Sequence, residues 1–235
     1  CSYSLMLLDG TEFKDPNYRK AFDIQGKYRV VALNFGIYEN KKIFDTEEIG
    51  IATKDMSFEE YLWIRGFCYM IEIIHNSRPF HEFFNYCKIW NLTIFDFIML
   101  IYENRHFAPA KIQKIYQSFI DETKSELWDS ETELIKYFEK DENYQDLLNG
   151  SIGGNVIYKH KAMGLADSSN EWCDFLTQIC MKLVRENEIN EESQKERVKE
   201  ILQISEFVKK KLSGVLQVNA DTSPLQMKSD YDIFG

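Results

Sequence analysis

Over the first fifty or so residues the apolar positions fall in short runs and alternations. From Ser57 onward they recur at three- and four-residue spacing. The early part therefore reads as strand and the rest as helix. Leu5-Met6-Leu7-Leu8 is an apolar run stopped by Asp9-Gly10-Thr11, the pattern of a buried strand entering a turn. Residues 29–38 (RVVALNFGIY) and 42–53 (KIFDTEEIGIAT) are rich in β-branched and aromatic side chains. They flank Glu39-Asn40-Lys41, which predicts a short hairpin or a pair of extended segments. A lone hairpin is marginal in water, so these strands need a covering surface, from the helices or from something outside this sequence.

Ser57-Phe58-Glu59-Glu60 is a capping box, and Met56 with Tyr61 fits the hydrophobic staple around it. The helix that follows, to about His75, is apolar nearly all round (Leu62, Trp63, Ile64, Phe67, Met70, Ile73), which suits the middle of a bundle. Arg78-Pro79 breaks it, and residues 79–90 (PFHEFFNYCKIW) predict a second, aromatic-rich helix with Pro in its first turn. Thr93 caps a third helix through Asn104, and Pro109 opens a fourth to about Trp128. Ser130-Glu131-Thr132-Glu133 is another capping box, opening a fifth helix that ends at Asn149-Gly150. Residues 155–165 predict a short helix, and Ser168-Ser169-Asn170-Glu171 caps a longer one carrying Trp172, Phe175, Leu176, Ile179 and Leu183. The last helix, 191–212, is amphipathic, with Val198, Ile201, Phe207, Val208 and Leu212 on one face. After Ser213-Gly214 the chain loosens and closes on an extended segment, 227–234 (MKSDYDIF). The predicted fold class is mainly α, a multi-helix bundle with a small N-terminal β segment of one strand plus a hairpin.

Charge narrows the partners. The 235 residues hold 28 Lys plus Arg against 38 Asp plus Glu, a formal net charge of -10. Such a surface is repelled by phosphate backbones, which argues against a nucleic-acid partner. No apolar stretch is long enough to span a bilayer and no signal-peptide pattern opens the chain, so no membrane partner and a cytoplasmic location are expected. The 5 Cys (Cys1, Cys68, Cys87, Cys173, Cys180) include no pair two or three residues apart, so neither a zinc knuckle nor a clustered iron–sulfur motif is present. They read as small buried side chains in a reducing cell, Cys173 and Cys180 sharing a helix face. His75, His81, His106 and His160 never fall at i,i+4 spacing, so there is no HExxH-type metal site. The sequons at Asn91 and Asn149 would matter only in a secreted protein.

Arg65, Glu72 and His75 are polar residues on an otherwise apolar helix, at spacings that let all three share a face. A catalytic acid–base group needs such a pKa-shifting setting, and a structural ion pair, the commoner case, needs the same. Asp9-Gly10-Thr11-Glu12 and the glycine-dense 150–154 (GSIGG) could each offer backbone N–H groups to an anion. Neither carries a phosphate-loop Lys or a dinucleotide fingerprint, and GSIGG reads as a helix C-cap followed by a helix start. The aromatics of 80–90 read as core, because the Lys/Arg interleaving of a stacking platform is missing. The sequence assigns no catalytic, cofactor-binding or metal-binding residue to this chain.

Several segments, in order, resemble the C-terminal half of radical S-adenosylmethionine proteins that also carry a cobalamin-binding domain. Leu5–Phe13 (LMLLDGTEF) resembles that family's "LMLLPGTE" segment at the end of its catalytic barrel. Arg19, Tyr28-Arg29-Val30 and Phe35-Gly36-Ile37-Tyr38 follow the family order "R…YR…FG.Y". Glu47-Glu48-Ile49 and Thr53–Tyr61, followed by Arg65, resemble "EEI…T..MSFE-(D/E)-Y". Gly150–Ala162 (GSIGGNVIYKHKA) resembles a later "G..G.N" and "KA" stretch, and Asp230–Phe234 a "YDI" strand. Asp9 stands where the family usually has Pro. The Cys-x3-Cys-x2-Cys cluster motif and a cobalamin-type Asp-x-His-x2-Gly motif are absent, and both would lie upstream of Cys1. The resemblance implies a fragment that starts at Cys rather than Met, with 1–56 as the tail of a catalytic barrel and its hairpin connection. It makes 57–212 a helical accessory domain on the substrate side and 213–235 a loose connection with a terminal extended segment. For the intact parent it implies an iron–sulfur cluster, S-adenosylmethionine and cobalamin, with methyl transfer or related radical chemistry. The upstream catalytic domains would be this domain's partners, with a substrate or carrier docking on it, and this chain alone would be inactive. Two other readings stand beside it: a stand-alone helical interaction module with a groove lined by residues 80–90, and a hydrolase built on Arg65, Glu72 and His75.

Overall fold

The computed structural model describes residues 4–213. In chain order the elements are β1 (Leu5–Met6), α1 (Pro16–Phe22), β2 (Gln25–Tyr38), β3 (Lys41–Ala52), α2 (Phe58–Ile74), α3 (His81–Cys87), α4 (Ile94–Glu103), α5 (Ala110–Ser125), α6 (Glu131–Glu139), α7 (Asp141–Leu148), α8 (Val156–Asn187) and α9 (Glu191–Leu212). The protein is mainly α with a small antiparallel sheet near its N-terminus, strand order β1-β3-β2. The expected extended segment at 227–234 and Cys1 lie outside the described residues.

Glu39 and Asn40 join β2 to β3 with φ of 47° and 65°, the left-handed pair that a two-residue hairpin loop requires. The ladder runs from Gln25↔Ala52 to Val30↔Thr46 and resumes at Phe35↔Phe44. Residues 31–34 thus oppose Asp45 alone. This bulge carries Leu33 at φ 62°.

The chain folds as two compact units. The first comprises the chain up to Tyr69 and Gln117–His160; the second comprises Met70–Tyr116 and the chain from Lys161 onward. In the first unit the sheet is covered by helices. Val30 of β2 packs with Leu134 and Phe138 of α6 and with Tyr144 and Leu147 of α7. Ile49 and Ile51 of β3 pack with Tyr61 and Leu62 of α2. The covering surface that the hairpin needed is supplied by helices of the same chain. In the second unit Phe80, Phe83, Trp172, Phe175 and Leu176 are buried, and Phe84 meets Phe97 edge-on at 4.9 Å. Glu82 of α3 is fully buried against Lys211 of α9, with Nζ 2.8 and 2.7 Å from its two oxygens.

Several predicted boundaries hold. Ser57 Oγ accepts from the Glu60 N–H while Glu60 Oε2 accepts from the Ser57 N–H, the reciprocal capping box. Thr93 makes the same box with Asp96, and α9 spans the predicted range with Asn190 as its cap. The predicted helix pattern changes at three places. Ser77 and Arg78 take φ of 68° and 54°, so Pro79 lies in a turn and α3 begins only at His81. The single helix expected over 131–149 breaks at Lys140, whose backbone is extended (φ -67°, ψ 137°). Side chains take the carbonyls at that break: Lys42 Nζ donates to Glu139 O, and Asn143 Nδ2 to Tyr137 O at 2.7 Å. The helices predicted on either side of 166–167 are joined in α8, where the predicted cap Ser168 is a kink (φ -138°, ψ 25°) donating its hydroxyl to Gly164 O.

Candidate functional site

The first unit gathers buried charge around the middle of β2. Arg29 and Glu47 are paired in the β2–β3 register, so Arg29 Nε donates to Glu47 Oε1 at 2.7 Å. Arg29 Nη1 donates to Glu126 Oε1 at 2.8 Å, and Nη2 to Ser4 Oγ at 3.4 Å. What holds Glu126 there is the edge of the sheet. β2 is an edge strand, and Trp128 pairs with it as an isolated antiparallel bridge, exchanging two backbone hydrogen bonds of 2.8 Å with Tyr28. The chain leaving α5 is thus tied to β2 one residue from Arg29.

Burial pushes the Glu126 carboxyl above its ordinary value, although the Arg29 and Arg65 guanidiniums both favour its charge. Arg29 itself is raised: burial opposes its charge, and Glu126 and Glu47 outweigh burial, so it remains protonated. Arg65 is 3% exposed, with its guanidinium 5.9 Å from the centre of the Phe119 ring.

A cavity of about 190 Å³ opens here. Its wall combines Glu122 and Glu126 with Trp128, Tyr137 and Phe138, and reaches Gly153 of the glycine-dense segment. The three rings form one cluster, with centroid separations of 5.0 Å for Trp128–Tyr137, 5.1 Å for Tyr137–Phe138 and 6.4 Å for Trp128–Phe138. A second cavity of about 70 Å³ shares Arg29, Val30 and Glu126 and adds Arg65, Glu47 and Gly154. Behind Glu122, Lys159 Nζ donates to its Oε1 at 2.9 Å, and His160 Nε2 lies 3.7 Å from its Oε2. His160 Nδ1 sits 2.9 Å from Val156 O, where it can only donate. In the neutral ring Nε2 then accepts from the Ser118 hydroxyl at 3.2 Å.

The polar residues picked out on α2 do not form one constellation. Arg65 belongs to the first unit and lines the smaller cavity. Glu72 belongs to the second, where Lys161 Nζ donates to it at 2.7 Å and Asn76 donates to its other oxygen. Burial opposes the Glu72 charge, but hydrogen bonds from Lys161 and Asn76 outweigh burial and its pKa falls below the ordinary value. The His75 ring packs on Phe84 at 5.2 Å. The turn at Asp9–Thr11 closes on itself, Leu8 O accepting from both the N–H and the hydroxyl of Thr11. In GSIGG, Gly150 (φ 74°) follows the end of α7 in the left-handed conformation of a helix C-cap, as its sequence suggested. Phe80 and Phe83 are fully buried and Phe84 nearly so, while Tyr86 and Trp90 are half-buried and Ile89 is exposed.

Glu126 and Trp128 were not singled out by sequence reasoning. One local signal existed: an acid just past the end of α5, where the helix dipole disfavours negative charge. Among the described residues no group of three or more His, Cys, Asp or Glu is placed to hold a metal ion. Cys68, Cys87, Cys173 and Cys180 are buried thiols, with Cys87 and Cys180 Sγ 3.7 Å apart. No helix among the described residues is long and apolar enough to cross a membrane.

Two arginines and two glutamates of the resemblance pattern are paired. Arg19 Nη1 lies 2.8 Å from Glu48 Oε1 and Lys14 Nζ 2.5 Å from Glu48 Oε2, on the face of β3 opposite to the Arg29–Glu47 pair. Gly26 makes room for this: a Cβ there would lie 2.2 Å from Glu48 Oε1. No family model matches the sequence, and no curated protein matches it.

Proposed function

We propose that this chain is the C-terminal, substrate-side helical portion of a cobalamin-dependent radical S-adenosylmethionine enzyme of the cytoplasm. In this reading the iron–sulfur cluster, S-adenosylmethionine and cobalamin are held by upstream domains of the same polypeptide. One observation carries it. The arginines of the "R…YR…FG.Y" stretch and the glutamates that open the "EEI" stretch are each other's partners: Arg19 with Glu48 and Arg29 with Glu47. Opposite charges across a hairpin pair in many proteins; what supports the reading here is that the pairs fall on the residues of the pattern itself. The cofactors of such an enzyme supply the radical and methyl-transfer chemistry. The protein's share is to position the substrate and exclude water. The first unit offers a buried, charged and ring-lined cavity for that share, and by itself it performs no turnover.

The test is the polypeptide encoded by the full reading frame. Its upstream part should contain the Cys-x3-Cys-x2-Cys and Asp-x-His-x2-Gly motifs. After anaerobic reconstitution the longer polypeptide should hold iron and cobalamin, while the 235-residue chain holds neither. Removing the 235 residues should abolish turnover and leave the cluster's visible absorption in place. A reading frame without the cysteine motif, or a cluster absorption band in the 235-residue chain alone, would overturn the reading.

A further inference from the structure

The larger cavity has a chemistry of its own, whatever precedes this chain. Its volume, about 190 Å³, is of the size that admits a benzene-sized molecule, given that an apolar cavity of about 150 Å³ binds benzene. Three clustered rings, Trp128, Tyr137 and Phe138, contribute to its wall. Aromatic faces attract cations through the ring quadrupole, most strongly where water is excluded. Two carboxylates, Glu122 and Glu126, are set one helical turn apart on the same wall.

An anion is a poor match. Arg29 is the cation lining this space, and each of its three nitrogens already has an acceptor: Glu47, Glu126 and Ser4. Of the two acids, Glu122 is balanced by Lys159 at 2.9 Å. Glu126 shares Arg29 with Glu47 through Oε1 alone and also feels the Arg65 guanidinium across the smaller cavity, while its Oε2 is the oxygen not engaged by Arg29. A neutral apolar molecule would fill the space and leave that carboxylate as poorly compensated as before.

We infer that the cavity bounded by Trp128, Tyr137, Phe138, Glu122 and Glu126 binds a small organic ammonium ion, its substituents against the rings and its charge beside Glu126. A methylated or aryl-substituted ammonium fits better than a bare primary amine. Rings offer no hydrogen-bond acceptors for three N–H groups, whereas a carbon-shelled cation needs none.

The 235-residue chain tests this directly. Benzyltrimethylammonium, benzyl alcohol and benzoate are titrated into it by calorimetry and by tryptophan fluorescence. The ammonium should bind saturably, at least about tenfold more tightly than either of the others. Glu126→Gln should cost about tenfold in that affinity. Trp128→Phe should retain binding and lose most of the fluorescence response. Equal or tighter binding of benzyl alcohol or benzoate would overturn the inference. So would the absence of saturable ammonium binding, or an unchanged affinity in a folded Glu126→Gln protein. Should that variant fail to fold, the ligand series on the unaltered chain still decides.

Discussion

In the unit built on Met70–Tyr116 and the chain from Lys161, the buried carboxylates have their own cations. Glu72 is met by Lys161 at 2.7 Å and by Asn76, and Glu82 by Lys211 at both oxygens. In the unit that carries the sheet, Glu126 shares the Arg29 guanidinium with Glu47, feels Arg65 without a direct ion pair to it, and lines a cavity. The two carboxyls respond in opposite directions: Glu72 is held below its ordinary value, and burial drives Glu126 above it. Both are acids on or beside helices, so residue type does not separate them. Compensation does. An acid whose charge is fully matched by its own chain has little left to offer a ligand. One left partly unmatched beside an opening is where a ligand can supply the missing charge.

The largest expected effect comes from breaking a closed pair. Lys211→Met leaves Glu82 fully buried without its cation and should cost about 3 kcal/mol in denaturant unfolding. The corresponding change in the first unit, Arg29→Met, should cost less, about 2 kcal/mol, because burial already raises the Glu126 pKa, so that once the guanidinium is gone this carboxyl takes up a proton more readily than Glu82. A loss for Arg29→Met as large as that for Lys211→Met would erase the distinction.

Smaller effects should appear in the pH dependence. A raised folded pKa means that the folded state holds the proton more tightly. Glu126 therefore detracts from stability as pH rises from the ordinary value of 4.5 through its folded value. Glu126→Gln removes that slope, so the variant should gain on the parent protein as pH rises from about 4 toward 7. Glu72→Gln should do the reverse. A lowered pKa contributes stability that is fully present above 4.5 and is lost as pH falls through the folded value. That variant should be less stable at pH 7, and the gap should close in acid. Parallel stability–pH curves for the two variants would contradict the comparison.

How much of this was legible depended on distance along the chain. Ser57 with Glu60 and Thr93 with Asp96 are caps closed within three residues, and a sequence window contains everything they need. The helix break at Lys140 depends on Lys42 reaching Glu139 O, 97 positions away. No local pattern encodes that. The site is harder still: Arg29 and Glu126 are also 97 apart, and they meet because Trp128 happens to occupy the edge of β2. Arg65 was noticed as a polar residue on an apolar helix, which the structure explains. Grouping it with Glu72 and His75 relied on helical spacing alone, which says nothing of what packs against each turn.

The bulge in β2 bears on how this protein tolerates changes in length. Between Gln25 and Val30 the strand is paired residue for residue in all but its first step, with Arg29 opposite Glu47 and both Tyr28 and Val30 in the apolar cluster. Losing one residue there would invert the alternation for the rest of that stretch, sending Arg29 to the apolar face and Val30 to the glutamates. Residues 31–34, facing Asp45 alone, carry slack. Deleting Lys27 should therefore abolish folding, while deleting Leu33, which is 78% exposed, should leave a cooperative thermal transition and an intact cavity. Insertions and deletions are accommodated at the bulge, and the residues before it are free to vary in identity but not in number.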